Sequence, residues 1–344
     1  MQSLATKPQP FLRNHRVRDA IGQALYDAMT LDASIVLLGE GAHIKQHYDM
    51  PAILRDFPER IVTMPISEDA NTNYAVGMSL LGIKPVVDVI AGDFLYRTLD
   101  SIANTAAKLD FVSGQEHTIV IRAEFLLGGP TTGQRPEAIF THIPGLRVLL
   151  PSTPREAYAL MRDALVTPGV TLFLEDRMLR DDEDWDERDL KLEGCIPADR
   201  CSWRRKGQRG NVTILTYGVM RQVVERALRK APKPTSPYSD SGDISEEWGM
   251  QCDVIDLWSL YPINWGFLNK MLERTGRLLI VEPDVTYGGI GAEVAATLAE
   301  MRPGIHIKRL GAPRTTVPAS PALHSQVMPN EEQVLAAIRK LNQQ

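Results

Sequence analysis

Glu68 is the residue whose type and setting best suit chemistry. It lies in MPISEDANTNYAVGMSLLGIKPVVDVIAGDF, where a strand hands over to a helix. Free backbone N–H groups at a helix start favour the ionised carboxylate, whereas the apolar neighbours Ile66 and Val76 favour the neutral acid. A carboxyl balanced in this way can exchange a proton with a heterocyclic ligand. Read alone, a glutamate at a helix start is more often a cap than a catalyst, so both readings stand at this level.

The elements that must hold Glu68 follow from hydrophobic period. Apolar positions recur at helical spacing over 17–29, and 35–38 is a continuous apolar run ending at Gly39, which reads as a helix followed by a buried strand. The pattern continues with a helix over 69–81 closed by Gly82, a strand over 85–90, a helix over 95–112 and a strand over 117–121. Thr153, Pro154 and Glu156 form a capping-box start to a helix ending at Val166, and Thr167-Pro168-Gly169 then turns the chain into a strand over 170–174. From 181 to 189 seven of nine residues are acidic, a block that repels itself and marks a linker. Beyond it come strands over 212–217, 253–257, 278–281 and 305–308, with helices over 222–229, 267–274, from 292 and from 331. Strand and helix alternate throughout, which implies an α/β protein of two domains, each a mainly parallel sheet flanked by helices. The expected bounds are 1–185, an acidic linker at 186–210, and 211–344. Residues 233–250, rich in Pro, Ser, Gly and acid, read as a solvated insertion.

Bulk properties exclude several classes. At 344 residues the chain is long enough for two cores, and a net charge of -5 leaves no basic surplus to neutralise a phosphate backbone, which argues against nucleic acid. The three cysteines, Cys195, Cys201 and Cys252, have no CxxC spacing and no paired histidine cluster, so neither a disulfide framework nor a structural zinc site is expected. A reducing, cytoplasmic setting fits, and no apolar run reaches the length of a membrane span. The basic N-terminal stretch up to Asp19 leaves an organelle-targeting segment open.

Several dispersed stretches occur together and in order: LLGEGA at 37–42, FPERIVTMPISE ending at Glu68, GMSLLGIKPVVDV at 77–89 and LDSIANTAAK at 99–108. To these are added PEAIFTHIPGLRVLLPSTP at 136–154, VTILTYG at 212–218 and GGIGAE at 288–293. Together they resemble the β subunits of thiamine diphosphate-dependent 2-oxo acid dehydrogenases, the decarboxylating component of the pyruvate and branched-chain complexes, within the transketolase-like superfamily. The resemblance implies a transketolase pyrimidine-binding domain followed by a transketolase C-terminal domain. It implies that Glu68 hydrogen-bonds N1′ of the cofactor's aminopyrimidine, and that the Ile66 backbone, Ile90 and Phe94 line the pyrimidine pocket, with Phe94 stacked on the ring. Ile90 reads equally well as ordinary core.

The chain lacks the Gly-Asp-Gly followed by Asn with which the family holds its metal. The resemblance therefore implies an α subunit that carries Mg2+ and the diphosphate end, an α2β2 heterotetramer with a β–β contact, and a lipoylated transacylase as a further partner. One departure concerns the reaction. Family members carry His-Ser-Gln before PEA, where this chain has Thr132, Gly133 and Gln134, and a threonine hydroxyl cannot titrate near neutrality in place of an imidazole. Thr132 and Gln134 remain substrate-side candidates, and His43 and His47, four residues apart, could supply a substitute imidazole, His47 first. Their spacing also suits a metal pair, but no third ligand stands near, and surface histidines are the alternative. The expected activity is 2-oxo acid decarboxylation with acyl transfer to a lipoyl acceptor. The alternatives are a split transketolase-like, acyloin-forming carboligase and a non-catalytic scaffold. GGIGAE superficially resembles a dinucleotide fingerprint, but close helix packing explains its glycines.

Overall fold

The computed structural model describes residues 16–40, 51–126, 132–180, 202–205, 212–231 and 252–343. A seven-stranded sheet is ordered β10-β5-β6-β4-β3-β1-β2. Its strands are β1 (Ile35–Gly39), β2 (Ile61–Thr63), β3 (Lys84–Ala91), β4 (Thr118–Phe125), β5 (Leu146–Leu149), β6 (Gly169–Asp176) and β10 (Ser259–Tyr261). All pairings are parallel except β10 with β5. The central strand β4, TIVIRAEF, is buried at every position, as a parallel strand covered by helices on both faces must be. Helices are labelled where they run to eight residues or more. On one face α1 (Val17–Leu31) packs against α3 (Pro154–Val166), and the other face is covered by α2 (Glu68–Leu80) and the chain after β3.

The second sheet is ordered β12-β11-β8-β9-β7, with β7 (Ser202–Arg205), β8 (Val212–Thr216), β9 (Cys252–Asp256), β11 (Arg277–Val285) and β12 (His306–Ala312). It is parallel except where β7 meets β9. Helices α4 (Met220–Lys230) and α7 (Glu331–Asn342) join one apolar cluster, and α5 (Trp265–Leu272) and α6 (Ile290–Met301) join the other. The two-domain α/β architecture expected from the alternation is therefore present.

The domains are joined by backbone as well as side chains. Strand β10 belongs to the second half of the chain yet extends the first sheet, and the Leu150 N–H donates to the Trp258 carbonyl at 2.8 Å. Ser152 Oγ donates to the buried Asp256 carboxylate, while Arg221 Nη2 reaches the Ser152 carbonyl at 3.3 Å. Burial strengthens such polar links because water cannot compete for them.

Some expectations need correction. The stretch 95–112 is not one α-helix: Gly92–Thr98 winds as a 3₁₀ helix, Ser101–Thr105 as a wide π turn, Ala106–Lys108 as 3₁₀ again, and only Leu109–Ser113 is α. Apolar spacing reports that Leu95, Ile102 and Ala106 are buried, but over so short a run it does not separate tight turns from wide ones. Within the segment read as linker, residues 202–205 form an edge strand, β7. At α3 the Thr153 side chain accepts from the Glu156 N–H, but the Glu156 carboxylate turns to the N–H and Oγ of Ser152 at 3.0 Å instead of closing a capping box. Cys252 is buried, and Cys195, Cys201 and the insertion 233–250 lie outside the described residues.

Candidate active site

Glu68 is the first residue of α2, and it is only 8 % exposed. Asn71 Nδ2 donates to the Pro65 carbonyl at 3.2 Å and Thr72 Oγ1 to the Glu68 carbonyl at 2.9 Å, which fixes the turn that delivers the carboxyl. Its side chain opens onto a cleft of about 770 Å³ lined by Ile66, Ser67, Glu68, Asp69, Phe94, Tyr96 and Arg97. Arg97 Nε lies 3.6 Å from Glu68 Oε2, an ion-pair contact too long for a good hydrogen bond. The expected apolar shielding of Glu68 is half right. Val76 is buried, but Ile66 is 83 % exposed and leaves the mouth of the cleft open.

Two further carboxyls stand behind Glu68. Glu40, immediately after β1, is raised above its ordinary value by burial and then by the charge of Glu68, an effect opposed by a hydrogen bond from the Ser67 backbone. The neighbouring Gly39 is required, because a Cβ there would lie 2.7 Å from the Asp88 carbonyl on β3. Asp88 Oδ1 in turn accepts the Ile90 N–H at 2.8 Å. Ile90 has φ +66°, a costly left-handed conformation for a β-branched residue, and it sits where the pairing of β3 with β4 slips. The strain is held at the strand end that turns into the cleft segment, as strained backbone at functional sites often is.

Phe94 and its neighbours follow on the 3₁₀ helix, and the buried Asp93 beside them accepts two consecutive backbone donors. The Gly133 N–H reaches Asp93 Oδ2 at 3.1 Å and the Gln134 N–H reaches Oδ1 at 3.0 Å. The loop bearing Thr132 and Gln134 is thereby tied to the segment bearing Phe94. Among the residues singled out from sequence, Ile66, Glu68 and Phe94 line one cleft. Ile90 stands half-buried at the end of β3, outside that lining, and His43 and His47 lie outside the described residues. Glu40, Asp88, Asp93, Tyr96 and Arg97 were missed as site residues, although Glu40 stands inside the LLGEGA run and the others within or just after VVDVIAGDF.

Beyond the loop, at the domain junction, Arg135 bonds Glu137 Oε1 through Nε at 3.0 Å and Asp176 Oδ2 through Nη1 at 3.0 Å, with its guanidinium 4.0 Å above the Phe125 ring. Across from it Glu282 is fully buried; burial raises its carboxyl to about 7 despite a 2.8 Å bond from the Gly291 N–H and the charge of Arg309. Asp284 is raised too, by burial and then by Glu137. The glycines of GGIGAE thus admit an internal carboxylate: a Cβ on Gly289 would lie 2.5 Å from the Val285 carbonyl, and one on Gly291 2.6 Å from Glu282 Oε1. Helix packing, as expected, accounts for this motif.

Comparison with known proteins agrees with this architecture. Residues 14–181 match the transketolase pyrimidine binding domain and residues 202–334 the transketolase C-terminal domain. A split-gene transketolase, solved as an inactive β4 tetramer, superposes with a TM-score of 0.77 at 22% identity, covering 96% of this chain and 99% of that one. The pyruvate dehydrogenase E1 component subunit beta of Porphyra purpurea is 31% identical over 292 residues, 82% of each chain. The chain belongs to this E1 β-subunit family. Within it, the acetoin:2,6-dichlorophenolindophenol oxidoreductase subunit beta of Cupriavidus necator is 29% identical, covering 95% of this chain and 97% of that protein. The 2-oxoisovalerate dehydrogenase subunit beta of Bacillus subtilis is also 29% identical, covering 94% and 97%.

Proposed function

We propose that this chain is the β subunit of a thiamine diphosphate-dependent 2-oxo acid dehydrogenase, supplying the pyrimidine half of the cofactor site. When bound, the cofactor supplies the electron sink that lets a 2-oxo acid lose CO2 and pass on its acyl group. The observation that carries the reading is Glu68: a buried acid on the first turn of α2, in one cleft with the aromatic face of Phe94. That pair fits an aminopyrimidine, the carboxyl holding a proton at N1′ and the phenyl ring packing on the heterocycle. The exposed Ile66 completes the rim, and Ile90 at the end of β3 stands outside it.

Among the described residues no group of three or more His, Cys, Asp or Glu could hold a metal ion. An α subunit holds Mg2+ and the diphosphate in this reading, and the cofactor lies between the chains of an α2β2 assembly. Glu68→Gln in the reconstituted assembly is expected to cut turnover by roughly 10² to 10⁴, the usual worth of general acid–base assistance, with fold and subunit assembly retained. Wild-type-like turnover in that variant would refute the assignment and favour a scaffold. The chain alone is expected to show no turnover.

One observation favours a second reading, a split transketolase-like carboligase. The loop clamped by Asp93 presents Thr132 and Gln134 and no imidazole, and no histidine lines the cleft among the described residues. Reduction of a lipoyl acceptor against product analysis with aldehydes separates the two.

A further inference from the structure

Arg97 has no part in the chemistry assigned above, yet the fold aims it at the reaction cleft. Side chains three apart eclipse on a 3₁₀ helix, so in Gly92–Thr98 Phe94 and Arg97 stand over one another on the cleft side, while Leu95 and Thr98 are buried on the other. Thr98 Oγ1 donates to the Leu95 carbonyl at 3.0 Å and anchors that turn. Arg97 is the one cation among the cleft's lining residues, its side chain is 75 % exposed, and it has no hydrogen-bond partner among the described residues. Its neighbour Asp69, by contrast, already accepts from the Ser101 hydroxyl.

A guanidinium does not deprotonate in the working range, so Arg97 cannot replace the imidazole absent at 132–134. It is a fixed charge with five donors in a fork that suits a carboxylate or a phosphate. The 3.6 Å contact of Arg97 Nε with Glu68 Oε2 is too long for a hydrogen bond, so the donors of the fork remain available to another anion. The carboxylate that leaves as CO2 is a poor candidate. Its charge disperses in the transition state, so a cation bound there would stabilise the ground state more and slow the step. An anionic group that survives the reaction carries no such penalty.

We propose, resting on the function assigned above, that Arg97 is a specificity residue for a retained anionic group: a second carboxylate on the 2-oxo acid, or a phosphate on the acyl acceptor. The test uses the α/β assembly with Arg97→Gln and Arg97→Lys. Pyruvate is compared with 2-oxoglutarate as donor, and glyceraldehyde with glyceraldehyde 3-phosphate as acceptor; thiamine diphosphate affinity is measured by fluorescence quenching. Arg97→Gln is expected to raise KM for the member of one pair that carries the extra anionic group roughly 10- to 100-fold relative to the other member, the worth of a charged hydrogen bond. Any change in cofactor affinity or kcat from losing the charge beside Glu68 should be common to both members of a pair, and lysine should restore part of the selective loss. The pair that responds identifies whether donor or acceptor carries the anion.

Equal effects on both members of each pair, no effect on any, or a wild-type assembly indifferent to the extra charge would overturn the proposal. A wild-type assembly unable to decarboxylate any 2-oxo acid would instead sink the functional reading, and this one with it. Unchanged thermal melting of Arg97→Gln distinguishes lost recognition from misfolding.

Discussion

Replacing Glu282 by glutamine should make the chain more stable at alkaline pH and change its response to pH. Glu282 is fully buried, one oxygen accepts the Gly291 N–H at 2.8 Å, and the other has no partner among the described residues. Burial moves its carboxyl from an ordinary 4.5 to about 7. At about 1.4 kcal/mol per pH unit, keeping it ionised in the folded chain costs roughly 3 kcal/mol. The acid is raised in the folded state, so the folded chain binds the extra proton between these two values. Stability therefore falls as pH rises from about 4.5 through about 7 and levels off above. Between pH 5 and pH 8 this one group removes on the order of 2 kcal/mol. Glutamine keeps the acceptor for Gly291 and cannot ionise, so Glu282→Gln should match the parent near pH 5 and exceed it by about 2 kcal/mol at pH 8. Urea unfolding of the full chain, followed by tryptophan fluorescence at both values, reads the difference. Asp284, raised in the same direction, remains in both proteins, so the slope is reduced and not abolished. A parallel pH response in the two proteins, or a variant weaker at pH 8, would refute the reasoning.

Two further outcomes test the scaffold behind the cleft. Asp93→Asn keeps one acceptor oxygen and sets an amide donor against a backbone N–H, so the loop 132–134 should lose about 1–3 kcal/mol of local stability. Faster hydrogen exchange at the Gly133 and Gln134 amides, with reduced kcat, is expected, and unchanged protection would show that the clamp is idle. Gly39→Ala places a Cβ 2.7 Å from the Asp88 carbonyl and should cost roughly 1–3 kcal/mol in urea unfolding as β1 is pushed from β3. An unaltered midpoint would mean that the strands yield freely there.

Much of the molecule was legible in the order of its residues. Hydrophobic period placed α1, β1, α2, β3, α3 and β6 to within a few residues, because a strand covered on both faces must be apolar throughout and a surface helix must be apolar on one side. Glu68 was legible for the same local reason: it begins the helix after β2, where the chain enters from a sheet edge. What escaped depends on contacts far apart in the chain. The edge strands β2, β7 and β10 and the short inner strand β5 are three or four residues long and take their form from neighbouring strands, which no local pattern encodes. The stretch 95–112 was apolar in the right places for a helix, yet its winding is set by what the chain packs against.

The site divides in the same way. The sequence by itself determined which acid and which aromatic could address a heterocycle, since residue type and position at an element's start are local properties. Only the tertiary structure decided that Asp93 would reach forty residues along the chain to hold Gly133, that Glu40 and Asp88 would stand near Glu68, and that Arg97 would face the cleft. It decided as well that the glycines after β11 would enclose Glu282 and not a nucleotide. The physical reason is common to all four: burial and charge act through space, and the distances that give them force exist only once the two sheets have packed.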